Sequence, residues 1–130
     1  MKEIVEKDLS YKIVGILFDT HNHLGGGYQE KYYGRAISKS LRDAGLNFVE
    51  QVHVPLDFKG ESIGRYFIDF SIEKKIVLEI KAANKFYIRD IKQILAYLNS
   101  ANIELGILAN FSRNGLQIKR LLRGYKIRDH

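Results

Sequence analysis

Two hydrophobic periods divide this chain. Up to about residue 45 apolar residues recur at helical spacing, and from Asn47 they recur at every second position. The first helical stretch carries Ile13, Val14, Ile16, Leu17 and Phe18, with Asp8 or Ser10 placed to cap it. "LGGGY" at 24–28 ends it, because three glycines disfavour a continued helix. A second helix runs from about Tyr28 to Ala44 on the stripe Tyr33, Ile37, Leu41 and Ala44, and Gly45 is a suitable stop.

"NFVEQVHVPLDF" then reads as a strand with Pro55 near its end, "KGE" at 59–61 as a turn, and "IGRYFIDFSI" and "KIVLEIKA" as two further strands around the turn "EKK" at 73–75. Helical spacing returns from about Tyr87 to Asn99, with Ile88, Ile91, Ile94, Leu95 and Leu98 on the apolar side. "IELGILANF" is a fourth strand, and "NGLQIKRLLRGYKIRDH" a short basic helix and tail. The short links make the first three strands an antiparallel meander, and the fourth can pair in parallel because it arrives through a helix. The expectation is a single α/β domain over residues 1–130, a mixed central sheet flanked by helices.

Three charges interrupt the apolar strands. Alternation puts Tyr66, Ile68, Phe70 and Ile72 on one face of the second strand and Phe67, Asp69 and Ser71 on the other. On the third strand Ile76, Leu78 and Ile80 oppose Val77, Glu79 and Lys81. A two-residue loop would set Asp69 opposite Leu78 and part the carboxylates. A three-residue loop over 73–75 pairs Asp69 with Glu79, so the charged faces coincide only with an odd loop or a bulge.

In that register two carboxylates and an ammonium lie side by side on a partly covered sheet face. Adjacent buried anions repel, and a divalent cation removes the conflict. Mg²⁺ takes oxygen ligands, commonly one or two carboxylates with water and substrate phosphate. Lys81 adds a positive charge suited to a phosphorane-like transition state or to deprotonating water. These are parts for metal-assisted phosphodiester hydrolysis; the plainer alternative is an ion pair on a solvated face. Glu30 lies three, seven and eleven positions before Tyr33, Ile37 and Leu41, which puts a carboxylate on a buried stripe where it needs a partner. Gln93 and Tyr97 share a helix face and can reach the same site or a phosphate.

Composition narrows the classes. A hydrophobic share of 45% fits a globular protein. The absence of cysteine excludes disulfides and thiolate chemistry and fits a reducing compartment. No apolar run reaches membrane-span length and the charged start lacks a signal peptide's apolar stretch, so a cytoplasmic location is expected. Lys and Arg number 21 against 15 acids, a net charge of +6 that favours polyanions, though many basic proteins bind none.

Asp69 followed by Glu79-Ile80-Lys81 resembles the D…(D/E)xK signature of the PD-(D/E)XK nuclease superfamily. Gln93 to Tyr97 is similar to the QxxxY element of its exonuclease and RecB-like branch. Gly27-Tyr-Gln-Glu30-Lys-Tyr-Tyr33 matches the pattern that names the GxxExxY protein family, small stand-alone relatives whose opening segment and "GILANF" strand also look similar, over roughly Asp8 to Leu122. Ile68 stands where the superfamily's name has proline. The resemblance implies a restriction-endonuclease-like αβββαβ core behind an extra N-terminal helix. It also implies Mg²⁺ or Mn²⁺ on Asp69, Glu79 and the Ile80 carbonyl, with Glu30 binding metal or orienting water, Lys81 catalytic, and Gln93 and Tyr97 in support.

Other signals carry less. "HNH" at 21–23 puts two histidines two apart on a helix, a poor metal pair, and "GGG" lacks a P-loop's Lys-Ser or Lys-Thr. His53 reads as structural. Arg113, Lys119, Arg120, Arg123, Lys126 and Arg128 either follow a phosphate backbone or form a solvated face. Three roles fit: a nuclease acting on DNA rather than RNA, a catalytically silent nucleic-acid binder, or a protein partner using Tyr32, Phe86 and Tyr87. A homo-oligomer is compatible with each.

Overall fold

The computed structural model describes residues 5–127. Three helices and five strands follow one another as α1 (Lys7–Leu24), α2 (Glu30–Asp43), β1 (Phe48–Phe58), β2 (Glu61–Ile72), β3 (Ile76–Lys81), α3 (Ile88–Ala101), β4 (Leu105–Ser112) and β5 (Gly115–Leu122). The strands form one mixed sheet in sequence order, parallel only between β3 and β4, whose link is α3. Among the described residues, no helix is long and apolar enough to cross a membrane.

The sheet separates two apolar layers. On one side Ile13 and Leu17 of α1 and Tyr33, Ile37 and Leu41 of α2 pack on Ile76, Leu78, Ile80, Ile107 and Ala109. On the other, Ile91, Ile94, Leu95 and Leu98 of α3 pack on Val77, Leu108 and Leu121. β3 is therefore covered on both faces, and all but its last residue are buried. Only at its end does the chain admit Glu79 and Lys81.

Five expectations are corrected. The C-terminal segment is a strand, not a helix. Arg113 and Asn114 form the tip of a tight hairpin, Gly115 supplies the positive φ of 123°, and Leu116, Ile118 and Leu121 find apolar partners across β4. Its basic residues consequently do not form one face: Arg123 bonds Asn102 and Glu104, Arg120 donates to the Val5 carbonyl, and Arg128 lies outside the described residues. Neither Asp8 nor Ser10 caps α1; Glu6 precedes it in a left-handed conformation, and the Ser10 hydroxyl instead donates to the Lys7 carbonyl. Ala44 and Ile88, placed on apolar stripes, are exposed: Ala44 is the residue that follows α2, and Ile88 is the first residue of α3.

The fifth correction shapes the site. Ile68 faces the α3 layer with Val52 and Val54, whereas Phe70 and Ile72 face the α1/α2 layer with Phe48. The β1–β2 hairpin thus turns its apolar side over between Ile68 and Phe70. Gln51, at the same level of β1, takes a left-handed φ of 52°, and a local twist of this kind breaks strict alternation. The predicted three-residue link holds: Ile72 pairs with Ile76, Ser71 with Val77 and Phe70 with Leu78.

The α3 layer rests closely on the sheet at Gly106. A Cβ there would lie 2.6 Å from the Ile94 γ-methyl and 3.3 Å from Val77. Both neighbours are buried and β-branched, so neither yields easily. Gly106→Ala is expected to destabilise the fold by about 1–3 kcal/mol, read as a lower midpoint in urea unfolding. An unchanged midpoint would mean α3 can lift from the sheet at little cost.

Candidate active site

The β2–β3 ladder stops at Phe70–Leu78, while β3 stays paired with β4 as far as Lys81–Asn110. Where Asp69 and Glu79 come level, side chains replace the ladder. The Asp69 N–H donates to Glu79 Oε1 at 3.1 Å, and the Ile80 N–H donates to Asp69 Oδ2 at 2.7 Å. Each carboxylate satisfies a backbone donor of the opposite strand, so the two strands part without leaving those N–H groups unpaired. Asp69 is half-buried and Glu79 is buried.

Burial is the main reason the Glu79 carboxyl is pushed up, to about 9; its hydrogen bond with Asp69 and the Asp69 charge act in the same direction, and Lys81 opposes them. Protonated Glu79 beside Asp69 is the local answer to two acids sharing one site. Lys81 reaches 3.8 Å from Asp90 Oδ1, on the first turn of α3. Asp90 is itself buried.

Glu30 belongs to this group but not in the way its helical position suggests. It is the first residue of α2 and solvent-accessible, so it is not part of the buried stripe that continues through Tyr33, Ile37 and Leu41. The stripe runs out at the cleft mouth, and there the carboxyl is exposed toward Asp69. Partial desolvation raises its pKa first; Lys81 lowers it, the Asp69 and Asp90 charges raise it again, and a hydrogen bond from the Ala82 backbone lowers it. One ammonium thus lies among four carboxylates, Glu30, Asp69, Glu79 and Asp90.

Tyr33 positions the start of α2. Its ring is buried and stacked on Phe111 at 4.2 Å, and its hydroxyl donates to the Gly25 carbonyl (2.6 Å) while accepting the Tyr28 N–H (3.2 Å). The glycine segment also approaches the sheet closely, since a Cβ on Gly26 would lie 2.7 Å from the Ser112 carbonyl oxygen. Glycine and tyrosine together fix where Glu30 begins its helix. The histidines at the end of α1 take no part: His23 is exposed and bonds back to the Asp19 carbonyl.

Gln93 and Tyr97 of α3 relate to the carboxylates through Tyr66. Gln93 enters through its backbone carbonyl, which accepts the Tyr66 hydroxyl at 3.1 Å. Tyr66 stands close enough to Tyr97 and Glu79 that, after burial, both raise its pKa. Sequence reasoning missed three residues. Tyr66 falls within an apolar strand pattern, but a tyrosine in a buried strand needs an outlet for its hydroxyl. Asp90 shares the stripe of Ile94 and Leu98 at helical spacing, and that spacing alone marks it. Asn110 interrupts an otherwise apolar strand; fully buried, it accepts from the Ala83 N–H (2.8 Å) and donates to the Ala83 carbonyl (3.0 Å) and Gln117 (3.2 Å), holding the chain just past Lys81.

A cleft of about 330 Å³ opens between α2 and the hairpin, with Glu30, Lys31, Arg35, Glu50, Asp69 and Ile80 among the residues that line it. Among the described residues no group of three or more His, Asp or Glu side chains is placed to hold a metal ion together. The donor set fits a hard cation nonetheless. It consists of oxygens, the buried Glu79 carboxyl lies against Asp69 at the strand split, and such ions commonly bind through one or two carboxylates with water completing the shell.

A strand pair that separates at Asp and Glu, with a lysine two residues on and a helix acid opposite, defines a restriction-endonuclease-like fold. The chain belongs to the PD-(D/E)XK nuclease superfamily, whose family model matches residues 7–121. Among solved structures it is similar to SSO0001, at 17% identity with a TM-score of 0.52, covering 92% of this chain and 79% of that one. It is also similar to an alkaline exonuclease (LHK-Exo) from Laribacter hongkongensis, at 12% identity with a TM-score of 0.51, covering 95% and 72%. No curated protein matches the chain. Members of this superfamily generally use divalent metal ions.

The Glu79 pKa has a sign that can be measured without substrate. Its ordinary value is 4.5 and its folded value about 9, so across that window the native state holds a proton that the unfolded chain has released. Stability contributed by this group is full below the unfolded pKa and declines as pH rises toward the folded one. In EDTA, thermal unfolding of the wild type should therefore weaken from mildly acid to alkaline pH, and Glu79→Gln, which has no proton to lose, should flatten that decline. The same slope in both proteins would place the titration elsewhere.

Proposed function

We propose that this chain is a metal-dependent nuclease that hydrolyses phosphodiester bonds, in DNA rather than RNA, at the Asp69–Glu79–Lys81 site. The observation that carries the reading is the crossed pair of carboxylates at the point where β2 leaves β3, with Lys81 on the same strand end. Asp69, Glu79 and the Ile80 carbonyl would hold Mg²⁺ or Mn²⁺, with Glu30 as a further ligand or as the group that orients water. When bound, such an ion supplies Lewis acidity and charge neutralisation.

The chain's own residues divide the remaining work. Lys81 presents positive charge where negative charge builds on the phosphorus oxygens, and in a partly desolvated site that charge acts more strongly than in water. Asp90 positions the lysine, and Asn110 holds the turn that follows it. Glu30, whose pKa is raised, is suited to take a proton from attacking water. Lys31 and Arg35 on the cleft wall offer charge to the flanking backbone. Gln93 and Tyr97 support the site through Tyr66. The Gly27–Glu30–Tyr33 spacing supports a kinship with the GxxExxY proteins in this reading.

The test is incubation with a panel of DNA and RNA substrates in Mn²⁺. Asp69→Asn and Lys81→Ala should each lower cleavage by roughly a hundredfold or more while unfolding as cooperatively as the wild type. Cleavage retained in both variants would remove the site assignment. Wild type that binds Mn²⁺ by calorimetry yet cuts nothing would favour the silent nucleic-acid binder.

A further inference from the structure

Three exposed or half-exposed aromatic rings lie within three positions of site residues in the chain, each on a different element and each with a cation over it. Phe67 lies two positions before Asp69 and is 43% exposed, with the Arg65 guanidinium 5.8 Å from its centroid and the His53 ring packed against it at 5.5 Å. Tyr32, two positions after Glu30, is equally exposed beneath Arg35 at 5.6 Å. Tyr87 precedes Asp90 by three positions and carries Arg89 at 5.0 Å. Cation–ring pairs also occur at Phe58 with Lys59 (5.2 Å) and at Phe86 with Lys119 (5.7 Å), so what sets the three rings apart is the place of each within three positions of Glu30, Asp69 or Asp90.

The hairpin twist aims the first of these. Val54 and Ile68 face the α3 layer, so their strand neighbours His53 and Phe67 turn to the opposite side, where α2 and the cleft lie. The chemistry of the rings and cations together restricts what can cover them. Arg89 lies 4.0 Å from Asp90, but an apolar partner would bury the Arg35 and Arg65 guanidinium groups without an anion of its own to meet them, at a cost in desolvation. An acidic peptide would pair the cations but leave the rings with nothing flat to stack on. A polyanion whose units each carry a π-face satisfies both, and a duplex keeps those faces inside its own stack.

We infer that Tyr32, Phe67 and Tyr87 are stacking platforms for unpaired bases on either side of the scissile phosphate, and that the substrate is single-stranded nucleic acid. This rests on the nuclease reading for the identity of the central site but adds a substrate class to it. Stacking platforms beside a basic cleft also make binding tolerant of sequence, because every base offers a π-face.

Fluorescence anisotropy with a labelled oligo(dT) strand and a blunt hairpin duplex, in Ca²⁺ at several salt concentrations, tests the inference. The strand should bind at least roughly tenfold more tightly than the duplex. Tyr32→Leu, Phe67→Leu and Tyr87→Leu should each weaken strand binding roughly five- to tenfold, Tyr11→Leu should not, and Phe67→Trp should restore it. Preference for the duplex, or Leu variants that fold and bind like the wild type, would overturn the proposal. Wild-type turnover of bis(p-nitrophenyl) phosphate, a diester without bases, reads the chemistry separately. If that turnover is absent while strand binding depends on the three rings, the platforms stand and the nuclease assignment falls.

Discussion

Two backbone N–H groups bonded to two carboxylates allow this sheet to open. A strand that leaves its neighbour within a protein ordinarily strands a donor from each side, and a buried unpaired donor costs on the order of 1–3 kcal/mol. Here the Asp69 and Ile80 N–H groups are taken by Glu79 and Asp69 in turn. The same side chains that would serve chemistry therefore keep the split stable. Their exchange for apolar residues would not simply empty the site; it would leave the two strands with either unsatisfied backbone or a longer ladder and no cleft.

The charge balance follows from that arrangement. Four acids and one lysine gather at the split, and the molecule relieves the excess by keeping Glu79 protonated and by leaving Glu30 near solvent. Neither solution is needed elsewhere among the described residues, since the other buried polar side chains, Ser10, Thr20, Ser38, Asn110 and Ser112, carry no charge, and Asn110 is satisfied by the backbone it touches. Lys31 and Arg35 bring positive charge to a cleft that Glu30, Glu50 and Asp69 also line. A phosphodiester approaching along the wall would be drawn in before it met the carboxylates.

Much of this was legible in the sequence because the relevant periods are short. Alternation along β3 puts Glu79 and Lys81 on one side, and the length of the 73–75 link sets the register with β2. What alternation could not show is the turnover of the hairpin between Ile68 and Phe70, which depends on Gln51 in the adjacent strand adopting a left-handed φ. Glu30 was recognised by spacing but misplaced by burial, because a helical stripe says nothing about where the neighbouring sheet ends. The C-terminal segment was misread because its basic residues suggested a solvated helix, while the informative signal was Asn114-Gly115 before an alternating Leu116 and Ile118. Asp90 and Tyr66 were missed because single polar residues in apolar patterns resemble tolerated exceptions until a partner is seen.

β1 forms one margin of the sheet, with an open row of backbone groups along its outer side. That row is broken three times, by the left-handed Gln51, by Pro55, which has no N–H to give, and by the register shift between Leu56 and Asp57. An outside strand seeking to extend the sheet would lose its hydrogen bonds every few residues. The irregularity that turns the hairpin toward the cleft thus also makes this margin a poor template for aggregation, and growth of the sheet from molecule to molecule is disfavoured along its whole length.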